Sequence, residues 1–149
     1  MSVEITPKGS YGATMPNLPR PLMPVMYGVI NIFIKLQGGR ILTLTTTGSK
    51  SGNEHSNPLG WFPDGDNAWL IVASNGGAAQ HPAWYFNLAR NPDKAWIQVD
   101  GRKIQVQSES LQGAAYDKAW NVIVAKAPTY AGYKTKTDRH IPVIRLTPK

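Results

Sequence analysis

Apolar and polar residues alternate along several stretches of the chain, which is the pattern of strands with one buried and one exposed face. The stretch Arg40–Thr47 (RILTLTTT) is one of them, and residues 94–109 contain two more. Asp100 and Gly101 separate those two runs, and an Asp-Gly pair in this position is typical of a tight hairpin turn. The pattern therefore predicts a strand at residues 40–47 and a hairpin at residues 94–109 with one solvent-exposed face.

Two further apolar runs flank a second Asp-Gly pair, at positions 64 and 65. Residues 57–62 and 68–74 on its two sides predict another hairpin. The apolar residues 141–148 near the end of the chain predict a closing strand. The pattern thus contains six strands, most of them joined as antiparallel neighbours.

Helical spacing is found in two segments between these strands. Residues 81–92 predict a short helix, because Pro82 suits a first helical turn and Pro92 stops the helix. Residues 113–126 predict a second helix that ends before Pro128.

The N-terminal part of the chain has a different character. Residues 1–24 are rich in proline, glycine and serine, so a flexible segment is expected there. The apolar residues 25–39 predict a helix that ends at Gly38 and Gly39 and lies on the domain or on a membrane surface. Their apolar run is too short to span a bilayer.

These elements predict a fold that is mainly β with helical additions (α+β). A small barrel of mostly antiparallel strands, closed or partly split, accounts for six strands and two or three helices in one domain, residues 25–149. The tryptophans are expected in the core or lining the barrel; they are Trp61, Trp69, Trp84, Trp96 and Trp120.

Composition narrows the choice of partner. The 149 residues carry a formal charge of +7 and a pI of about 9.8, which favours an anionic partner. The 16 basic residues are scattered, which is typical of a solvated surface rather than of nucleic-acid binding. There is no cysteine, and His55, His81 and His140 lack metal-ligand spacing, so an organic cofactor or none is expected and no metal.

Two donor-rich loops could hold an anion. The first, in TTTGSKSGNEHSNPLGW (residues 45–61), has Gly48 and Gly52 to turn the backbone and Lys50 to add charge. The second, ASNGGAAQHP (residues 73–82), leaves a strand and opens onto a helix N-terminus. Ordinary surface turns are the alternative for each loop taken alone.

Two tyrosines follow the second helix. Tyr130 and Tyr133 in APTYAGY are three residues apart, near one face of a short helical turn. They could form an aromatic wall over a flat ligand, with phenol groups available for hydrogen bonding, or they could simply pack.

Four blocks in unbroken order between residues 40 and 148 resemble the deazaflavin-dependent nitroreductase family. The blocks are LTTTGSKSGNEHSNPLGW, IVASNGGAAQHPAWYFNLARNP, APTYAGY and TDRHIPVIRL. The resemblance implies a split β-barrel, similar to FMN-binding barrels, that uses reduced coenzyme F420 as a hydride donor. It also implies electron-poor acceptors (quinones, enones, unsaturated lactones and nitroaromatics) and a cytoplasmic or peripherally membrane-associated protein. The sequence leaves the oligomeric state open, and a monomer is allowed.

The resemblance also implies site residues. Tyr130 and Ser74 are expected to be catalytic, and Tyr130 and Tyr133 to contact the substrate. The cofactor-binding residues expected from the matching positions are Ser49, Lys50, Ser51, His55, Ser56, Asn57, Pro58, Leu59, Gly60, Val72, Ala73, Ser74, Asn75, Ala83, Trp84, Tyr85, Phe86, Asn87 and Tyr130.

The chain departs from the family pattern at four of these positions or close to them. Ser49 and His55 stand where relatives often carry arginine, and Asn75 stands where they carry lysine. Ala127 occupies a place where an aromatic residue can occur. Fewer fixed cations therefore face the anionic tail of the cofactor.

Two other functions remain open from the sequence. One is an FMN-binding split-barrel protein, and the other is a noncatalytic binder of a cofactor or lipid at a membrane. Because every cofactor block lies after Arg40, deletion of residues 1–24 is expected to leave a folded, active reductase.

Overall fold

The computed structural model describes residues 2–13, 20–22, 24–25 and 40–149. Within them the chain forms six strands, three α-helices and two 3₁₀ turns. The strands are β1 (Arg40–Thr47), β2 (Glu54–Pro63), β3 (Trp69–Val72), β4 (Ala95–Val99), β5 (Arg102–Ser110) and β6 (Val143–Pro148). The helices are α1 (Ala83–Arg90), α2 (Gly113–Lys126) and α3 (Thr129–Lys136), and the 3₁₀ turns are Arg20–Leu22 and Asn75–Gly77.

The six strands close into a barrel in the order β1-β2-β3-β6-β5-β4, with every neighbouring pair antiparallel. Both predicted hairpins are present: β2 pairs with β3 across the turn at Gly65, and β4 pairs with β5 across Asp100 and Gly101. Asp100 and both glycines have positive φ, which these tight turns require. The predicted antiparallel barrel with helical additions is confirmed.

Two apolar clusters form the core. Leu42, Leu44 and Ile97 belong to the cluster that fills the barrel, and a second cluster lies under α2. Strand β3 separates the two clusters, since all four of its residues are buried and alternate between them. This double burial explains why β3 is an uninterrupted apolar run instead of an alternating one.

Trp96 differs from the other tryptophans. It is half-buried on the outer face of β4, where the Lys103 ammonium lies 5.9 Å from the centre of its ring. Its neighbours Ala95 and Ile97 point inward, so the two-residue period of the strand puts Trp96 outside. The four other tryptophans are buried as predicted.

The N-terminal strap, residues 2–13, lies on the barrel instead of being a free segment. Val3 is buried in the barrel cluster, and the Ser110 amide donates to the Ser2 carbonyl at 3.0 Å. Gly9 and Ala13 donate backbone bonds to the loop after β3. This docking of the strap differs from the flexibility expected of residues 1–24, and the division of the chain into a flexible segment and one domain stays a prediction. Nearly all of the helix predicted at residues 25–39 lies outside the described residues.

Candidate functional site

A groove of about 530 Å³ runs between the β1–β2 loop and α1. One face of α1 forms its wall, because Ala83, Phe86, Asn87 and Arg90 recur at helical spacing. The full set of lining residues is Gly48, Ser49, Lys50, Ser51, His55, Asn57, Ala83, Trp84, Phe86, Asn87 and Arg90. The groove thus joins the first predicted anion loop to the helix that follows the second one.

Asn87 fixes the loop against the helix. Its side-chain oxygen accepts from the Ser49 amide at 3.0 Å, and its NH₂ group donates to the Thr46 hydroxyl at 3.1 Å. Asn91 adds a bond of 3.2 Å to the Thr47 carbonyl. Because Asn87 is buried and both ends of its amide are used, it shapes the groove through the loop.

The charges that line the groove are basic. Lys50 comes from the loop, and Arg90 comes from the last turn of α1, where it donates to the Ser49 hydroxyl at 3.3 Å and lies 5.8 Å from the Phe86 ring centre. Among the described residues no carboxylate lines the groove. Sequence analysis missed Arg90, although its position four residues after Phe86 places the two on the same helical face.

A buried arginine holds the loop after β3. The guanidinium of Arg139 is almost fully buried and donates to the carbonyls of Ala78 (3.0 Å), Ala73 (2.9 Å) and Ser74 (2.6 Å). It also contacts Nδ1 of His81 at 2.8 Å. Sequence analysis missed this role, because an isolated arginine gives no local sign that it is buried.

The hydrogen-bond partners of His81 determine which of its ring nitrogens carries the hydrogen. A guanidinium only donates, so Nδ1 accepts from Arg139 and carries no hydrogen. Nε2 carries the hydrogen and donates to the Thr6 carbonyl at 2.8 Å. Burial lowers the pKa of His81 below 6.5, and the charge of Arg139 lowers it further. His81 is therefore neutral and joins the strap to the loop after β3.

The lowered pKa of His81 predicts an acid-sensitive fold. As pH falls, His81 is protonated in the unfolded chain at a higher pH than in the folded protein, because folding lowers its pKa. The stability contributed by neutral His81 is therefore fully present above about pH 6.5 and is lost as pH falls below that value. Burial also lowers the pKa of His140, which acts in the same direction. His81→Asn keeps an acceptor for Arg139 without a titrating ring, so it should flatten the loss of stability between about pH 7 and pH 5, measured by urea unfolding.

A control removes an imidazole from the exposed side of the groove. His55→Asn should retain the wild-type acid dependence, since His55 makes no contact with Arg139 or the strap. An equally steep loss of stability in His81→Asn and wild type would contradict the role of His81.

Tyr130 and Tyr133 lie on α3, beside the second core cluster. Their rings meet edge to face at 5.5 Å, and Tyr130 meets Phe62 the same way at 5.7 Å. Burial raises the pKa of Tyr130 to about 12, with a further contribution from Tyr133. Within the part of the chain that the structure describes, the Tyr130 hydroxyl makes no hydrogen bond, so this protonated phenol can donate one to a ligand.

Other described features bear on the class of site. None of the helices found in the described ranges has the length and apolar character needed to cross a membrane. Within the same ranges no group of three histidine, aspartate or glutamate side chains is placed to hold a metal ion.

Comparison with known proteins identifies the family. The family model described as "F420H(2)-dependent quinone reductase" matches residues 26–148. The chain belongs to this family. An F420H(2)-dependent quinone reductase of Mycobacterium tuberculosis (strain ATCC 25618 / H37Rv) is 38% identical over 109 residues, which cover 71% of this chain and 72% of the relative.

Solved structures agree with the family. An F420-H2 dependent reductase is 37% identical, with a TM-score of 0.64, over 72% of this chain and 93% of that chain. A domain-swapped dimer is 32% identical, with a TM-score of 0.64, over 83% of this chain and 98% of that chain. The resemblance to F420-dependent reductases noted from the sequence blocks is confirmed.

The groove gathers part of the residue set expected to bind F420. Nine of those residues line it: Ser49, Lys50, Ser51, His55, Asn57, Ala83, Trp84, Phe86 and Asn87. The other expected cofactor residues lie elsewhere: Ser56, Pro58, Leu59 and Gly60 along β2, Val72, Ala73, Ser74 and Asn75 around the end of β3, Tyr85 in the core, and Tyr130 on α3. The expected substrate residue Tyr133 also lies on α3. Contact of any of them with F420 or substrate stays a prediction.

Among the residues expected to bind F420, Tyr85 has the surroundings that differ most from that expectation. It is fully buried, its hydroxyl donates to the Glu4 carbonyl, and that hydroxyl accepts from the Thr6 amide at 3.2 Å. The phenol thus holds the strap, and its ring packs on His81 with a centroid distance of 4.6 Å.

Proposed function

We propose that this chain binds reduced F420 in the groove between the β1–β2 loop and α1 and transfers its hydride to electron-poor acceptors. Quinones are the acceptor class that the family name supports. Enones, unsaturated lactones and nitroaromatics are included in the proposal, because they too can accept a hydride at an electron-poor atom.

The observation that carries the proposal is that the positive charge of the groove complements the negative charge of the F420 tail. Lys50 and Arg90 supply positive charge, and no described carboxylate opposes it. The first turn of α1, at Ala83 and Trp84, also lines the groove, and unpaired amides of a first turn favour anions. Arg90 compensates in part for the cations that Ser49 and His55 replace.

Different residues of the groove and of α3 have different roles around the cofactor. Bound F420 supplies the hydride, so the protein has to bind, orient and exclude water. Asn87 fixes the loop that carries Ser49 and Lys50, and the Trp84 and Phe86 side chains add apolar surface. Tyr130 stays protonated at neutral pH because its pKa is raised to about 12, so it can donate a hydrogen bond to an acceptor oxygen.

Oxidation of reduced F420 tests the proposal. Purified protein is mixed with reduced F420 and menadione, and the return of the oxidised chromophore is followed. Oxidation that needs both protein and menadione supports the reductase. Tight FMN binding without F420 binding would identify a flavin protein, and F420 binding without turnover would identify a carrier; either result overturns the proposal.

The basic groove gives a binding prediction. Lys50 is exposed, so Lys50→Ala should weaken F420 binding by only about three- to tenfold, whereas Lys50→Ala with Arg90→Ala should weaken it by about thirtyfold or more. Added salt should weaken wild-type binding and affect the double variant less. Quenching of tryptophan fluorescence measures both dissociation constants.

The control for charge is Lys118→Ala, which removes an exposed lysine on α2 outside the groove. It should bind F420 like wild type. Equal weakening by Lys118→Ala and Lys50→Ala would mean that net charge, rather than the groove, attracts the tail.

Location and assembly are part of the same proposal. A cytoplasmic protein with peripheral membrane contact through residues 25–39 stays a prediction. A monomer as the active unit likewise stays a prediction.

A further inference from the structure

The short helix α3 carries both proposed substrate tyrosines, and burial holds it only weakly. None of its eight residues is buried, and its N-cap residue Pro128 makes no side-chain capping bond. The Tyr130 and Tyr133 rings are partly buried against the second core cluster. A helix of two turns is not stable on its own, so contacts with other elements have to fix the position of Tyr130.

Two aromatic rings of α2 form a fixed surface beside α3. Tyr116 and Trp120 are four residues apart on one face of α2 and are only 6% and 9% exposed. Their rings are stacked, with 7° between the planes and 6.1 Å between the centroids. The Tyr116 hydroxyl donates to the Ile141 carbonyl at 2.7 Å, which keeps that ring from swinging outward.

Lys134 joins α3 to this pair of rings. Its Nζ lies 4.0 Å from the centre of the Trp120 ring and 5.0 Å from that of Tyr116. The face of an aromatic ring carries negative potential, so both rings attract the ammonium group. Burial lowers the pKa of Lys134, and the negative charge of Asp117 on α2 opposes that change. The rings and Asp117 thus compensate the ammonium group for the water that it has lost.

The same contact bears on Tyr130. Lys134 follows Tyr130 by four residues, so the two side chains lie one turn apart on one face of α3. The Tyr130 ring rests edge to face on Phe62 of β2 at 5.7 Å. A movement of α3 that separates Lys134 from Trp120 would therefore also move the Tyr130 phenol relative to β2.

We propose that Lys134 is a positioning residue, whose ammonium group latches α3 onto the Trp120 and Tyr116 rings and so holds the Tyr130 phenol in place for the acceptor. The inference rests on the proposed function, in which this phenol donates to the acceptor oxygen. Among the described residues that line the F420 groove, none belongs to α3, so loss of the latch should leave F420 affinity unchanged.

Hydrogen exchange of the α3 amides measures the latch without cofactor. Lys134→Met keeps the apolar stem and removes the charge, so α3 should open more often and its amides should exchange about three- to tenfold faster. Lys134→Arg keeps a cation that stacks on aromatic rings and should exchange like wild type. Because Lys134 is exposed, both variants should fold. Equal exchange in Lys134→Met and wild type would overturn the latch.

Lys136→Met is the matched control on the same helix. The Lys136 ammonium lies 5.5 Å from the ring of Tyr133, which belongs to α3 itself, so this contact does not tie α3 to another element. Its removal should leave the exchange of the α3 amides unchanged. An equal acceleration by Lys134→Met and Lys136→Met would mean that the charge of α3, rather than the contact with α2, holds the helix.

Turnover shows whether the latch serves Tyr130. Lys134→Met should lower kcat for menadione about three- to tenfold with an unchanged dissociation constant of F420, and Lys134→Arg should restore kcat. In the Tyr130→Phe background, Lys134→Met should have little further effect, because the hydroxyl that it positions is gone. Full additivity of the two changes would overturn the positioning role, since the latch would then not act through the phenol.

The two readouts separate this inference from the proposed function. Faster exchange of α3 in Lys134→Met, without F420 oxidation by the wild type, would support the latch and overturn the reductase. F420 oxidation by the wild type with the same kcat in Lys134→Met would support the reductase and overturn the positioning role.

Discussion

Tyr130→Phe should slow hydride transfer to an enone by about tenfold to a hundredfold while leaving the dissociation constant of F420 nearly unchanged. The substitution deletes only the hydroxyl, and the ring keeps its edge-to-face contacts with Phe62 and Tyr133. The hydroxyl makes no hydrogen bond to the described residues, so its removal costs the fold little. We expect the hydrogen bond from the Tyr130 hydroxyl to the substrate oxygen to form mainly as negative charge develops on that oxygen.

Single-turnover oxidation of bound reduced F420 by cyclohexenone measures this effect. Tyr133→Phe is the matched control, since it removes a phenol from the same helix and should slow the step less. If Tyr130→Phe transfers hydride at the wild-type rate and Tyr130→Ala does not, the Tyr130 ring packs on its ligand and its hydroxyl does not stabilise the developing charge.

Deletion of residues 1–13 should destabilise the protein by on the order of 3 kcal/mol and lower Tm by roughly 10 °C. The strap buries Val3 and supplies partners to Tyr85, His81 and the loop after β3. This result would replace the expectation from sequence that residues 1–24 are dispensable. Differential scanning calorimetry measures Tm, and tryptophan quenching measures whether F420 binding survives.

Gly12→Ala tests the docking of the strap by adding a single methyl group. A Cβ at Gly12 would lie 2.2 Å from the Ala79 nitrogen, so the strap has to move away from the loop. Gly132→Ala is the control, since a Cβ there meets nothing within 4 Å. A wild-type Tm in both the deletion and Gly12→Ala would show that the strap does not support the fold.

Most elements of the barrel could be predicted because their signals are local. The alternation in Arg40–Thr47 and the Asp-Gly turns set strands and hairpins within a few residues of one another. Gly113–Lys126 was predicted at its observed limits, since Pro128 follows it closely and its apolar positions recur at helical spacing. Strand β2 begins earlier than predicted, at Glu54, because pairing with β1 extends into polar residues.

The site depends on contacts between distant parts of the chain, which local patterns do not record. Arg139 meets Ala73 across 66 positions, and His81 meets Thr6 across 75. The Lys50 side of the groove was predicted from its loop, but Arg90 joins it only because Asn87 draws that loop onto α1. Burial of a cation and the outward turn of Trp96 likewise follow from packing.

Closure of the barrel has a consequence for how copies of this protein can meet. Each of the six strands has a paired neighbour on both sides, but β2 pairs with β3 only at Phe62 and Pro63. Among the described strands, the first part of β2 is therefore the long stretch whose second side has no strand partner. Edge-to-edge growth, the first step of many β-rich aggregates, would have to start there or break an existing ladder. A proline or lysine placed on that side of β2 should therefore slow fibril formation more than the same change on β4.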